Sequence, residues 1–347
     1  MFFASDNAGP VHPKVMEALA EANQGYAPGY GADAAMERVR ARLREIFEAP
    51  EAAVHLVTTG TAANSLALAT LSAPYETIFC SPVAHIHEDE CNAPEFFSDG
   101  AKLTLVPGGD KMTAEALRST IAAQGGGVVH HAQRGPVSIT QVTERGAVYG
   151  LEELKALTAV ARDFGLKAHM DGARFTNALV ALGCSPAEMT WKSGIDALSF
   201  GGTKNGLMGV EAVIFFNPEK SWEFELRRKR GAHLLSKHRY LSAQMEAYLT
   251  DDLWLEMAAR ANANCARLAE GLRGTEAEFL NDPQANIIFA ALPRRVHERL
   301  KEAGAMYYLQ DGPLEDPDGE EMLGCRLVCD WSISEALIDQ FVDLAKG

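Results

Sequence analysis

Residues 54–71 read VHLVTTGTAANSLALATL. Val54, Leu56 and Val57 form a short apolar run that breaks at Gly60, and beyond it the apolar residues recur at helical spacing. A strand that turns through glycine into a helix is the start of a βαβ unit, which places its strands side by side and parallel. The same texture recurs outward from it. TIFCSPVAH (77–85), KLTLVPG (102–108), GGVVHHA (126–132) and VSITQV (137–142) read as short strands bounded by Gly, Pro or polar residues. A helical stretch, 150–165, leads into LKAHMDGA (166–173), and DALSFGGTKNG (196–206) precedes VEAVIFF (210–216). Short buried strands alternating with helices predict an α/β domain with a mostly parallel sheet.

On the N-terminal side, Pro13 opens a helix that stops near Gly25, and a Gly/Pro/Tyr-rich loop (26–34) precedes an amphipathic stretch at 34–49. From Asp251 the texture changes. A long helix (251–272) is followed by NIIFAAL, a helix over 293–304, MYYLQ, CRLVCDW and a final helix over 334–347, which predicts a small α+β domain. The expected organisation is an N-terminal arm (1–15), a large domain (16–250) and a small C-terminal domain (251–347).

Length and composition agree with this reading. A chain of 347 residues has room for about two domains, and 47% hydrophobic with 23% charged residues is a globular composition. Thirty-two basic against 47 acidic residues leave a net charge of −15, which argues against nucleic acid as a partner. No apolar run approaches a membrane span, and the start MFFASDNAGP has no leader-like pattern, so a soluble, cytoplasmic protein is expected. The six cysteines form no CxxC pair, so neither a structural zinc site nor a redox motif is expected.

Three stretches fall where an open α/β sheet places its ligand, at the carboxyl ends of strands. Thr58-Thr59-Gly60-Thr61-Ala62-Ala63-Asn64 stands at a strand-to-helix junction, where free N–H groups attract a phosphate; its threonines would also serve as an ordinary N-cap. In Ala168-His169-Met170-Asp171-Gly172-Ala173-Arg174 an acid ends an apolar strand. Such a carboxylate can keep a ring nitrogen protonated, or simply cap the next turn. Ser199-Phe200-Gly201-Gly202-Thr203-Lys204-Asn205-Gly206 carries a lysine in a glycine-rich loop: a solvated side chain, a phosphate clamp or a Schiff-base nucleophile. GxxxxGK[ST] is absent, and no GxGxxG follows the first strand, so neither a P-loop nor a nicotinamide site is indicated.

The order of cup, Asp and Lys resembles the fold type I enzymes that bind pyridoxal 5′-phosphate (PLP). SDN near the start, GTAAN, the His of PVAHIHEDE, HMDGARFTNA, GGTKNG and CRLVCDWS together resemble the low-specificity L-threonine aldolases of the β-eliminating lyase group. The resemblance covers nearly the whole chain. It implies a fold type I PLP-dependent transferase-like architecture, a mostly parallel large domain with a smaller C-terminal α+β domain. It implies retro-aldol cleavage of L-threonine, L-allo-threonine or bulkier β-hydroxy-α-amino acids such as phenylserine to glycine and an aldehyde. Another PLP reaction on the same scaffold (β-elimination, racemisation or transamination) and a non-catalytic PLP-fold binding protein are the alternatives.

On that resemblance Lys204 would hold PLP, Asp171 would pair with the pyridinium nitrogen, and Gly60 and Thr61 would bind its phosphate. His85 would stack on the ring and is a candidate base. Arg174 would reach the cofactor oxygen or the substrate carboxylate, and Arg326, with Ser5, would hold that carboxylate. The sequence departs from the family at one point: Glu144 stands where a histidine is expected, so Glu144 is a candidate for the retro-aldol base, with His130 and His131 as nearby imidazoles. The basic run 226–239 is read as a solvated helix face near a subunit interface, with Lys237 or Arg239 completing the neighbour's phosphate site. Tyr30 is likewise read as donated across that interface. A dimeric active unit, paired into a tetramer, follows from the resemblance, and no metal is implied.

Overall fold

The computed structural model describes residues 1–310, 314 and 321–347. Seven strands make the large sheet: β1 (Ala53–Val57), β2 (Glu76–Cys80), β3 (Lys102–Leu105), β4 (Gln133–Thr140), β5 (Ala168–Gly172), β6 (Ala197–Phe200) and β7 (Glu211–Phe215). Their spatial order is β1-β7-β6-β5-β4-β2-β3. All neighbours are parallel except at β7, which runs antiparallel to both β1 and β6. β1, β5, β6 and β7 are buried along their whole length, as expected of strands covered on both faces. The helix Gly60–Leu71 is buried on nearly every side, which accounts for its run of Ala and Leu without a polar face.

Four short strands follow: β8 (Glu278–Phe279), β9 (Ile287–Pro293), β10 (Tyr308–Leu309) and β11 (Met322–Val328). They pair antiparallel in the order β10-β11-β9-β8. The register sets Arg326 opposite Phe289 on one side and Tyr308 on the other. Residues directly opposite share a face, so these three side chains stand together while Cys325 and Leu327 enter the small core from the other face.

Two elements tie the large and small cores. The helix Leu253–Arg273 packs Leu253, Trp254 and Met257 into the large core and Cys265, Leu268 and Leu272 into the small one. The N-terminal arm does the same in less space. Phe3 is fully buried in the small core, its N–H bonded to Met306 O at 2.8 Å and its carbonyl accepting from Val328 N at 2.8 Å, while Val15 belongs to the large core.

One expected strand is absent. Residues 125–132 form turns before β4, with Val129 89% exposed. Three consecutive glycines precede the valines, and the Gln133 side-chain amide bonds Val128 O (3.1 Å) and His131 O (2.9 Å), holding the turn. No described helix is long and apolar enough to cross a membrane.

Candidate active site

The loops at the carboxyl ends of β1, β2, β4, β5 and β6 meet on one side of the large sheet, where the small sheet closes over them. Two adjoining cavities lie there. One, of about 330 Å³, is lined by Thr58, Thr59, Gly60, Thr61, Asn64, Glu90, Asp171, Thr203 and Glu211. The other, of about 490 Å³, is lined by Ser5, Glu144, Arg174, Phe289, Tyr308 and Arg326. Asn7, His85 and Lys204 border both.

The smaller cavity begins at a helix N-terminus. Thr59 is the N-cap, its hydroxyl accepting from Ala62 N at 3.1 Å. Gly60 and Thr61 come next, in the turn whose N–H groups a helix cannot bond internally. Those donors, with the helix dipole behind them, suit a phosphate. Across from them Asp171, 2% exposed, ends β5 and accepts from Ala173 N (3.0 Å) and Asn64 Nδ2 (3.0 Å). The Asn64 amide also donates to Glu90 Oε1 at 2.9 Å, and Glu90 Oε1 lies 2.9 Å from His85 Nδ1.

Lys204 is carried on a single 3₁₀ turn, Thr203–Asn205, directly after β6. The glycines before it are required by close approach. A Cβ at Gly201 would stand 2.3 Å from Ala173 O, and one at Gly202 2.6 Å from Val210 O. Their absence lets the β5 and β6 loops touch, which brings Asp171 and Lys204 to one cavity. Gly202 N donates to Glu211 Oε2 at 2.7 Å, and burial pushes the Glu211 carboxyl up to about 7. Burial, then the nearby Arg174 charge, lowers the Lys204 pKa, which favours the free amine a nucleophilic lysine needs.

The larger cavity is cationic on one wall. Arg174 forms a buried bidentate pair with Asp6, Nε to Oδ2 at 2.7 Å and Nη2 to Oδ1 at 2.9 Å, and Asn286 also donates to Asp6 at 3.1 Å. Asp6 therefore holds Arg174 in place; removing one member of such a pair costs about 3–5 kcal/mol. Arg326 differs. Among the described residues its guanidinium makes no hydrogen bond, and burial with the neighbouring Arg174 charge lowers its pKa. A half-buried guanidinium without a partner, beside a second one, is a seat for a carboxylate. Glu144 enters the same cavity from the loop after β4.

Of the residues singled out from the sequence, Ser5, Gly60, Thr61, His85, Glu144, Asp171, Arg174, Lys204 and Arg326 thus border one or both cavities. Tyr30, Lys237 and Arg239 border neither. Tyr30, in the left-handed region, sits under Lys229 Nζ at 5.0 Å, Lys237 is exposed, and Arg239 bonds Gly25 O at 2.9 Å. His130 and His131 are exposed in the turn that precedes β4, at the opposite end of the sheet, and cannot stand in for the missing histidine. No individual role was read from the sequence for Asp6, Asn7, Asn64, Glu90 or Glu211. Asn64 lay within the quoted GTAAN and Glu90 within PVAHIHEDE, but nothing local marks either as facing Asp171 or His85.

The site's donors and acceptors fit PLP: an anion cup, a carboxylate opposite a lysine of lowered pKa, and the buried Asn64 Oδ1 and Glu90 Oε2, which have no hydrogen-bond partner among the described residues. Comparison with known proteins points the same way. The model of the Beta-eliminating lyase family matches residues 3–294. A low specificity L-threonine aldolase of Pseudomonas sp. is 41% identical over 97% of this chain and 94% of its own, and one from Pseudomonas aeruginosa is 42% identical over 99% and 96%. A Leishmania major threonine aldolase superposes with a TM-score of 0.92 at 26% identity, covering 99% of this chain and 98% of its own. A serine palmitoyltransferase solved with PLP shares the fold, with a TM-score of 0.71 at 18% identity over 100% of this chain and 86% of its own.

Proposed function

We propose, from the premise that this chain belongs to the beta-eliminating lyase family, that it is a PLP-dependent aldehyde-lyase cleaving L-threonine, L-allo-threonine or related β-hydroxy-α-amino acids such as phenylserine to glycine and an aldehyde. The observation that carries this reading is the shared wall: Lys204 and His85 separate a cavity with an anion cup and a carboxylate from one with an unpartnered guanidinium. A small molecule with a phosphate and a second with a carboxylate would meet at that wall.

Lys204 would hold PLP, with Gly60 and Thr61 on its phosphate and Asp171 on its ring nitrogen. When bound, PLP supplies a sink for the electron pair left at Cα as the Cα–Cβ bond breaks. The chain supplies orientation and proton transfer. Arg326, with Ser5 and Arg174, fixes the substrate carboxylate, which determines which bond at Cα is aligned for cleavage. Asp171 retains the proton on the ring nitrogen. Glu144 or His85 takes the β-hydroxyl proton, and a proton returned to Cα gives glycine.

We assign PLP to the large domain over 16–250, with 1–15 as an arm and 251–347 as the small domain that supplies Arg326. The placement of Tyr30, Lys237 and Arg239 outside both cavities of their own chain suits residues that act in a neighbouring subunit, in a dimer or a tetramer of dimers. Purified protein with PLP and L-threonine or phenylserine is expected to release acetaldehyde or benzaldehyde in equal amount to glycine. 2-Oxobutyrate from L-threonine, or phenylpyruvate from phenylserine, released with ammonia in their place would establish β-elimination instead.

Glu144→Gln separates the two candidate bases. It keeps the size of the side chain and removes its ability to accept a proton, and a positioned base contributes about 10²–10⁴-fold. With Glu144 as base, kcat for cleavage falls by about 10² with KM little changed; kcat within threefold of the parent assigns the proton to His85.

A further inference from the structure

His85 has its Nδ1 2.9 Å from Glu90 Oε1, and the same oxygen accepts from Asn64 Nδ2 at 2.9 Å. Glu90 is 3% exposed. The Asn64 amide faces two carboxylates, Glu90 and Asp171, so its nitrogen and not its oxygen must point toward them. One of its two hydrogens serves each. Glu90 Oε1, already receiving one N–H, receives the second from His85, and an acceptor at Nδ1 fixes the tautomer: the hydrogen sits on Nδ1 and the lone pair on Nε2.

We propose that Glu90 is the positioning residue of this site, holding His85 with Nε2 as its proton-accepting atom and holding Asp171 through Asn64. One buried carboxylate thereby sets both groups the reaction uses: the imidazole at the wall of the substrate cavity and the acid that retains the ring proton. No other described side chain bonds the His85 ring. The charged groups that act on it most are Glu90 on the adjoining loop, Asp171 on β5, Glu144 after β4 and Lys204 after β6, while Glu88 and Asp89 line the same cavity. Three of the four are acids, and Glu90 is the one in hydrogen-bond contact. The bond from Glu90 raises the His85 pKa, while burial raises that of Glu90 against the opposing pull of His85 and Asn64. In metal sites the outer partners of a ligating histidine matter at the level of about 10–100-fold when removed, and a histidine held for proton transfer depends on its partner for orientation in the same way.

This proposal rests on the aldolase reading, and the test separates the two. The holoenzymes compared are the parent, Glu90→Gln, His85→Ala and the double variant, with melting temperature and PLP content measured for each. Glu90→Gln keeps an acceptor oxygen and removes the charge. Its kcat/KM for glycine formation is expected to fall by about tenfold or more. Removing a charge that favours the imidazolium lowers the His85 pKa, so the acid limb of the pH profile moves to lower pH. In the His85→Ala background the same substitution is expected to cost clearly less than in the parent, because its route through the imidazole is gone and only the link through Asn64 to Asp171 remains.

An acid limb that stays in place, or an equal loss from Glu90→Gln with and without His85, overturns the proposal. If Glu90→Gln does not fold, Asn64→Ala holds the test: it cuts the Glu90 to Asp171 link and leaves the His85 bond. Its acid limb should stay at the parent position while turnover per bound PLP falls, and a limb that moves would refute the assignment. A parent enzyme that forms no glycine or aldehyde would overturn the aldolase reading alone.

Discussion

Lys204→Ala is expected to leave a folded protein that cannot retain PLP covalently and whose glycine-forming turnover falls by at least about a thousandfold. The size of the effect follows from where the lysine stands. It sits on a 3₁₀ turn, not in a packed helix or strand, so the fold loses little when the side chain is cut back. Among the described residues it is the one primary amine bordering both cavities, and burial beside Arg174 favours its uncharged form. The measurement is direct. Parent enzyme incubated with PLP and reduced with borohydride should carry the cofactor mass on the peptide containing Lys204, and its visible absorbance band should disappear on reduction. The variant should show neither the mass nor the band. A borohydride-fixed cofactor mass on a different peptide of Lys204→Ala would mean that another lysine holds the cofactor.

Asp171→Asn should produce the second-largest loss, about 10²–10³-fold in turnover per bound PLP, with the cofactor still covalently held. The carboxylate accepts from Ala173 N and Asn64 Nδ2 and is otherwise free to face the cavity. An asparagine can satisfy Ala173 with its oxygen, but its amide then meets the Asn64 amide, donor against donor. It also brings no charge to hold a proton on a ring nitrogen, so the sink for the Cα electron pair is weakened while the phosphate cup and Lys204 are untouched. Borohydride labelling and product formation, measured on the same samples, check the two halves. Per-cofactor turnover within tenfold of the parent would remove Asp171 from the chemistry.

The parts of this site that sequence made legible share one property: each is announced by its neighbours along the chain. Gly60 and Thr61 stand at a visible strand-to-helix break, Asp171 ends an apolar run, and Lys204 lies among glycines after another. Arg326 is the one charge inside the apolar run CRLVC, and antiparallel pairing with β9 and β10 explains why it faces a cavity while Cys325 and Leu327 face the core. What stayed hidden depends on pairs distant in sequence. Asn64 and Asp171 are 107 residues apart, Asp6 and Arg174 are 168 apart, and each member alone looks like a cap or a surface group. The GGVVHHA stretch failed for the opposite reason. Two adjacent valines are a strong local strand signal, and the preceding glycines and the Gln133 side chain override it.

The arm that threads Phe3 between Met306 and Val328 also dictates an order of assembly. A ribosome delivers Asp6 280 residues before Asn286, one of the groups that anchor it, and Phe3 earlier than either strand segment that covers it. Until Asn286 and β11 have emerged, Phe3 lacks the strand that its carbonyl bonds, and the Asp6–Arg174 pair lacks the amide that supports it. The large sheet can condense during translation, but the cleft becomes complete only when the Phe3 segment is captured by β11. Synthesis and competence are separated in time, and an extension fused ahead of Met1 would act on that final capture step before it acted on anything else.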